Sequence, residues 1–147
     1  MPRDPSQQRK PLPLLWVFTY KFDTDGYLTK FKARICVRGD LQYGHQDTYA
    51  ATLAYRTFRA LMALAAAFDL EIVQLDAINA FLNSTIDEEI LVKYPEGFKQ
   101  PGQVLRLLRA LYGLRQSPRL WHKDLTEALQ ALGLGLVPDA NCLLSNY

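Results

Sequence analysis

Residues 16–37 read WVFTYKF-DTDG-YLTKFKARICV, and this stretch decides the fold class. The first seven residues mix aromatic and β-branched side chains, which suit a pleated, half-buried surface. Asp25-Gly26 then supplies a turn, because glycine accepts the backbone angles that a tight reversal demands. The chain resumes an extended pattern over 27–37. Two such runs around Asp-Gly predict an antiparallel β-hairpin. Successive strand side chains point to opposite faces, so Lys30, Lys32 and Arg34 share one face while Phe31, Ala33 and Ile35 share the other.

Residues 38–48 (RGDLQYGHQDT), which follow the hairpin, are loop-like. Residues 56–68 predict a helix with Phe58, Leu61, Met62, Ala65 and Phe68 on one stripe. EIVQLD at 71–76 predicts a short strand ending in Asp76, with a helical turn beginning over 79–83. Further short strands are expected at 90–93 and 104–108, separated by a Pro95-Glu96-Gly97 turn. Ser117-Pro118 predicts a helix start, with Ser117 as N-cap and Pro118 at the first helical position. Leu120, Trp121, Leu125, Ala128, Leu129 and Leu132 form its apolar stripe, and Gly133 its stop. A last strand begins at 141–147. The polar, proline-rich residues 1–13 predict a disordered lead-in, leaving 14–147 as one domain. Strands and helices without a βαβ rhythm give an α+β fold, with helices packed on one face of a mainly antiparallel sheet.

The chain has 147 residues, 49% of them hydrophobic, enough for a core. Its net charge of +2 conceals a strong segregation. Residues 1–60 carry net +5, residues 61–100 net −5, and residues 101–147 net +2. A basic front and tail around an acidic middle suit a grip on a polyanion near a metal; uneven solvated charge is the competing reading. Cys36 and Cys142 are far apart, with no CxxC pair, which disfavours zinc and fits reduced, buried thiols. His45 and His122 have no triad partners, and neither a Walker A motif nor GxGxxG occurs. No apolar run reaches the roughly 20 residues of a membrane span, and the segment 14–18 makes a poor secretion signal.

Asp76 is the leading candidate for chemistry. A carboxylate at a strand end needs a partner, and a metal ion is one; capping the following turn is the other. Phe81 could wall the sugar of a nucleotide or simply pack. Lys30, Lys32, Arg34 and Arg38 are phosphate candidates, or else the polar face of a hairpin. The acidic run 87–89 reads as a solvated face. In LYGLRQSP (111–118), Gly113 permits close backbone approach beside Tyr112, and a helix N-terminus follows.

Four segments in order, KARICVRGDLQ (32–42), QLDAINAFLN (74–83), YPEGF (94–98) and RALYGLRQSPRLW (109–121), resemble the reverse transcriptase domain of copia-type retrotransposons. That family writes them approximately as KARLVARG, QLDVKNAFLNG, PPGF and LYGLKQSPRAW. The resemblance covers 16–147 and implies the fingers and part of the palm of an RNA-directed DNA polymerase. It implies an RNA template, a DNA primer and deoxynucleoside triphosphates as partners. Asp76 would be the catalytic metal ligand, in a mechanism where two magnesium ions align the primer hydroxyl and the triphosphate. Ala77 and its neighbours would hold the metal and triphosphate. Phe81 would be the gate that rejects a ribose 2′-hydroxyl. Lys32, Arg34 and Arg38 would reach the phosphates, while Tyr112 and Gly113 would floor the nucleotide site. Thr52-Leu53 and Ala77-Ile78 depart from the family's Pro-Val and Val-Lys. The larger departure is that no Asp-Asp pair occurs in the sequence. The expectation is therefore a partial domain without its thumb, connection and RNase H parts, inactive alone. A non-catalytic nucleic-acid-binding remnant or a non-functional element product is the alternative. Asp124, within a predicted helix, and Asp139, in a loop, are poor substitutes for the missing acids.

Overall fold

A computed structural model describes residues 10–44, 47–98, 100, 102–138 and 140–146. The element order is β1 (Leu14–Phe22), β2 (Leu28–Val37), α1 (Tyr55–Ala67), β3 (Leu91–Val92), β4 (Leu105–Arg106), α2 (Ser117–Ala131), β5 (Gly135–Val137) and β6 (Ala140–Ser145). Single 3-10 turns lie at Gly39–Leu41 and Ala80–Asn83. The class is α+β. The strands form three separate two-stranded antiparallel ladders, where the sequence predicted one mainly antiparallel sheet.

The β1–β2 hairpin forms as expected. Asp23 Oδ1 accepts the amides of Asp25 (3.1 Å) and Tyr27 (2.8 Å), and Gly26 takes φ +85°, so side chain and glycine together close the turn. Register pairs Val17 with Arg34, Thr19 with Lys32 and Lys21 with Lys30. One face is therefore a basic row to which β1 adds Lys21. The opposite face pairs Trp16 with Ile35, Phe18 with Ala33 and Tyr20 with Phe31.

The core lies at the base of this hairpin. Leu12, Val37, Ile90, Val92 and Leu114 are buried together, with Leu14, Ile86, Leu105, Leu107 and Leu111 packed against them. Leu12, in the stretch expected as a lead-in, packs into this core. Its amide donates to the Leu91 carbonyl (2.9 Å) and its carbonyl accepts from the Lys93 amide (2.8 Å). Pro11 and Pro13 hold it extended and lack amides themselves, so Leu12 alone adds to the β3 edge. Residues 1–9 lie outside the described residues, as do His45, Asp139 and Tyr147.

Both predicted helices form, but they do not pack side by side on a sheet. In α1 only Ala65 is buried, and Phe58, Leu61 and Phe68 of the predicted stripe are exposed. In α2 the buried residues are Ser117 and Leu120. Ser117 is the first helical residue rather than the N-cap, and Pro118 follows it. The Ser117 hydroxyl donates to the Leu111 carbonyl at 2.7 Å, which takes it out of capping geometry. Gly133, at φ +90°, ends the helix as expected. β5 was not predicted, because its three residues GLV carry too little pattern to separate a strand from a loop.

The expected strand over 71–76 does not form. Residues 70–77 have no helix or strand, and Leu75 is 89% exposed. An extended run becomes a strand only where another backbone aligns with it. The hairpin turn delivers such a partner to β1; among the described residues nothing delivers one to 71–76. No helix of the described residues is long and apolar enough to cross a membrane.

Candidate functional site

Segment 109–118 joins the two halves of the site. On one side the Ala110 amide donates to the Ser84 carbonyl (2.9 Å). Arg109 Nη1 donates to the Asn83 carbonyl and to Thr85 Oγ1, both at 3.1 Å. These bonds fix the 3-10 turn that carries Phe81. The turn itself starts from Asn79 in the left-handed region (φ 52°), which asparagine tolerates better than most residues. The Asn79 carbonyl accepts from the Leu82 amide (2.8 Å).

On the other side the Val37 amide donates to the Tyr112 carbonyl at 2.8 Å, tying the segment to the end of β2. Here the glycines matter. Gly113 sits at φ +90°, and a Cβ on it would collide with the Val37 carbonyl oxygen; a Cβ on Gly39 would collide with the Gly113 carbonyl oxygen. The close approach read from Gly113 is thus made by the chain to itself. Arg115 continues the clamp, donating from Nε to the Gly39 carbonyl (2.9 Å) and from Nη2 to the Asp40 carbonyl (3.2 Å). Behind it the buried Gln42 and Gln116 amides bond at 2.8 Å, and Gln116 Nε2 donates to Glu88 Oε1 at 2.8 Å. Glu88 therefore serves the scaffold, and Asp87 pairs with Arg119 at 2.7 Å, so the acidic run is more than a solvated face.

Three of the candidate residues converge on this frame. The Phe81 and Tyr112 rings lie 4.9 Å apart at 60°. The Arg34 guanidinium lies 5.6 Å from the Tyr112 ring centroid, within cation–π range. Lys32 stands two residues along the same strand face. Its ammonium is held below the ordinary lysine range, first by the Arg34 charge, then by partial desolvation, then by Lys21 and Lys30. Asp76 pulls the other way, so its carboxylate lies within electrostatic reach of Lys32.

Other candidates are placed less favourably. Arg38 leaves the basic row and forks onto Asp40, with Nε–Oδ1 at 2.8 Å and Nη2–Oδ2 at 2.6 Å. Asp76 and Ala77 are exposed. Among the described residues no group of three His, Cys, Asp or Glu side chains could hold a metal ion. Asp124 lies in α2 and belongs to no such group. The described residues do not fit a two-magnesium centre. Cys36 and Cys142 are free thiols, each only partly buried. Sequence reasoning missed the place of Lys21 in the basic row; the period-two pattern of β1, paired across the turn with Lys30, carries that signal.

Residues 3–146 match the family described as Reverse transcriptase (RNA-dependent DNA polymerase). The chain belongs to the reverse transcriptase family. With the relatives that follow, the match supports a copia-type reverse transcriptase fragment. The chain is 38% identical over 120 residues to the Retrovirus-related Pol polyprotein from transposon TNT 1-94 of Nicotiana tabacum, covering 78% of this chain and 9% of the relative. It is 36% identical over 124 residues to the Retrovirus-related Pol polyprotein from transposon RE2 of Arabidopsis thaliana, covering 80% and 8%. The Transposon Ty1-DR4 Gag-Pol polyprotein of Saccharomyces cerevisiae shares 33% over 121 residues, covering 78% and 7%. The chain thus spans under a tenth of the length of these relatives. No solved structure matches it. As a reverse transcriptase domain it brings Arg34, Tyr112 and Phe81 into contact on the frame just described, with Asp76 on an exposed run within electrostatic reach of Lys32.

Proposed function

We propose that this reverse transcriptase domain supplies the fingers and part of the palm of an RNA-directed DNA polymerase. Its role is to hold the triphosphate and sugar of an incoming deoxynucleotide against an RNA template and DNA primer. The convergence of Arg34, Tyr112 and Phe81 beside Lys32 is the observation that carries this reading. Lys32 and Arg34 offer two cations to phosphate oxygens, and the arginine can fork two bonds to one phosphate. Phe81 would bar a ribose 2′-hydroxyl, with Tyr112 and Gly113 beneath it. Arg38 would join the phosphates only by leaving Asp40. Asp76 would give one carboxylate to a magnesium centre that the described residues leave incomplete, with Ala77 following it. Primer extension by this chain alone is accordingly expected to fail.

The uncatalysed half of the reading is testable on the chain itself. Single-stranded RNA should bind with an affinity that falls steeply with salt, because each neutralised phosphate releases counterions. Lys32→Ala should lower the salt slope by about one. Binding insensitive to salt would sink the reading. Primer extension that Asp76→Asn abolishes would overturn the expected inactivity.

A further inference from the structure

We propose that Tyr112, backed by Arg34, is a positioning residue for Phe81 and sets how strongly the site prefers deoxyribose to ribose. This rests on reading Phe81 as the sugar gate. A gate discriminates only if its ring does not yield when a 2′-hydroxyl presses on it. The backbone bonds that fix the turn reach Asn83, Ser84 and Thr85 and leave the Phe81 ring itself unbraced. The turn that carries it is four residues long, Asn79 before it is in the left-handed region, and residues 71–79 are exposed.

What resists lies elsewhere in the chain. The Tyr112 ring meets the Phe81 ring at 4.9 Å, in a tilted arrangement that aromatic quadrupoles favour. Tyr112 is itself fixed at its backbone by the 2.8 Å bond from the Val37 amide. Its ring is engaged by the Arg34 guanidinium at 5.6 Å. Arg34 and Val37 both belong to β2, so the hairpin that bears the basic row also braces the gate. Arg34 therefore has two tasks, one at the phosphates and one through Tyr112. Occupancy of the phosphate site and firmness of the gate are coupled through one side chain.

The test compares dATP and ATP binding to the full chain by calorimetric titration in magnesium buffer. Tyr112→Ala should cut the dATP-over-ATP preference roughly two- to tenfold, the scale of one aromatic pair. Tyr112→Phe, which keeps the ring, should restore it. In a Phe81→Ala background, Tyr112→Ala should have no further effect on the preference, because it acts through Phe81. An undiminished effect there overturns the proposal, as does equal binding of both nucleotides by the wild type. A second readout needs no nucleotide. The Phe81 ring resonances feel the ring current of Tyr112, so they should shift in Tyr112→Ala and in Arg34→Ala, but not in Arg59→Ala on α1. Unchanged resonances in the first two variants overturn the proposal. Absence of any nucleotide binding would instead sink the functional reading, with the Phe81 shift in Arg34→Ala, where the Tyr112 ring remains, still deciding whether the braced Tyr112 ring positions Phe81.

Discussion

Segments 109–118 and 70–78 both carry apolar residues and both overlap the stretches that resemble the family's, yet the chain treats them oppositely. In the first, Ala110 is 0%, Leu114 3% and Gln116 2% exposed. In the second, Val73 is 77%, Leu75 89% and Ile78 84% exposed. Apolar content does not explain the difference, since the more apolar segment is the exposed one. Partners do: 109–118 bonds to the Phe81 turn, to the end of β2 and to the 3-10 turn after it, whereas 70–77 aligns with no other backbone among the described residues. One half of the candidate site is fixed by the chain's own packing, and among the described residues nothing fixes the Asp76 half.

The sharpest way to break this contrast is at Gly113. Gly113→Ala should destabilise the fold by about 3 kcal/mol or more, because strain at positive φ adds to a collision with β2 backbone. Gly97→Ala, also at φ +90° but facing open space, should cost only about 1–2 kcal/mol. Denaturant midpoints of the two variants compare them directly. Equal losses would mean that the hub is no tighter than an ordinary turn.

Next in size is a matched leucine pair. Leu114→Ala should cost about 2–5 kcal/mol through lost burial and a residual cavity, and Leu75→Ala no more than about 0.5 kcal/mol. A costly Leu75→Ala in thermal or denaturant unfolding would show that 70–78 is covered in solution.

Smaller effects should follow pH at the basic row. Protonated Lys32 is disfavoured in the folded hairpin, so the unfolded chain holds that proton more tightly. The repulsion is fully present below the depressed folded pKa and is relieved as pH rises toward the ordinary lysine value, so stability should climb across that window. Polyanion binding should fall over the same window, because the ammonium is lost. Lys32→Met should flatten both trends, measured as unfolding midpoint and RNA affinity against pH.

The smallest effect is expected at Arg38–Asp40. Hydrogen bonding from Arg38 holds the Asp40 carboxyl below the usual carboxylate range. Its stabilisation is therefore present above the ordinary carboxylate pKa and lost as pH falls through the depressed one. Both groups are exposed, so Arg38→Ala should be nearly silent in stability at neutral pH. A large loss in its unfolding midpoint would place Arg38 in the hub after all.

Much of this was legible in residues alone. WVFTYKF, Asp-Gly and KFKARICV fixed the hairpin and the basic face, because period-two alternation allows one register once a short turn joins the strands. Phe81 and Tyr112 were legible as candidates, but 31 positions separate them, and no local pattern states that their rings touch. Arg38 looked like one more cation of the row; only the fork onto Asp40 removes it. Asp76 looked like a strand end because EIVQLD has strand composition, and composition cannot supply a neighbour.

By itself the sequence determined the α+β class, the hairpin with its two faces, the stop of α2, and the family. These rest on local periodicity, turn chemistry and ordered motifs, all written within short stretches. The tertiary structure decided that Leu12 belongs to the core, that Arg34 reaches Phe81 through Tyr112, and that Asp76 stays on an exposed run. Each of those depends on whether distant backbones meet. Meeting requires hydrogen-bond partners and space for close approach, which Gly39 and Gly113 provide for one half of the site and nothing among the described residues provides for the other.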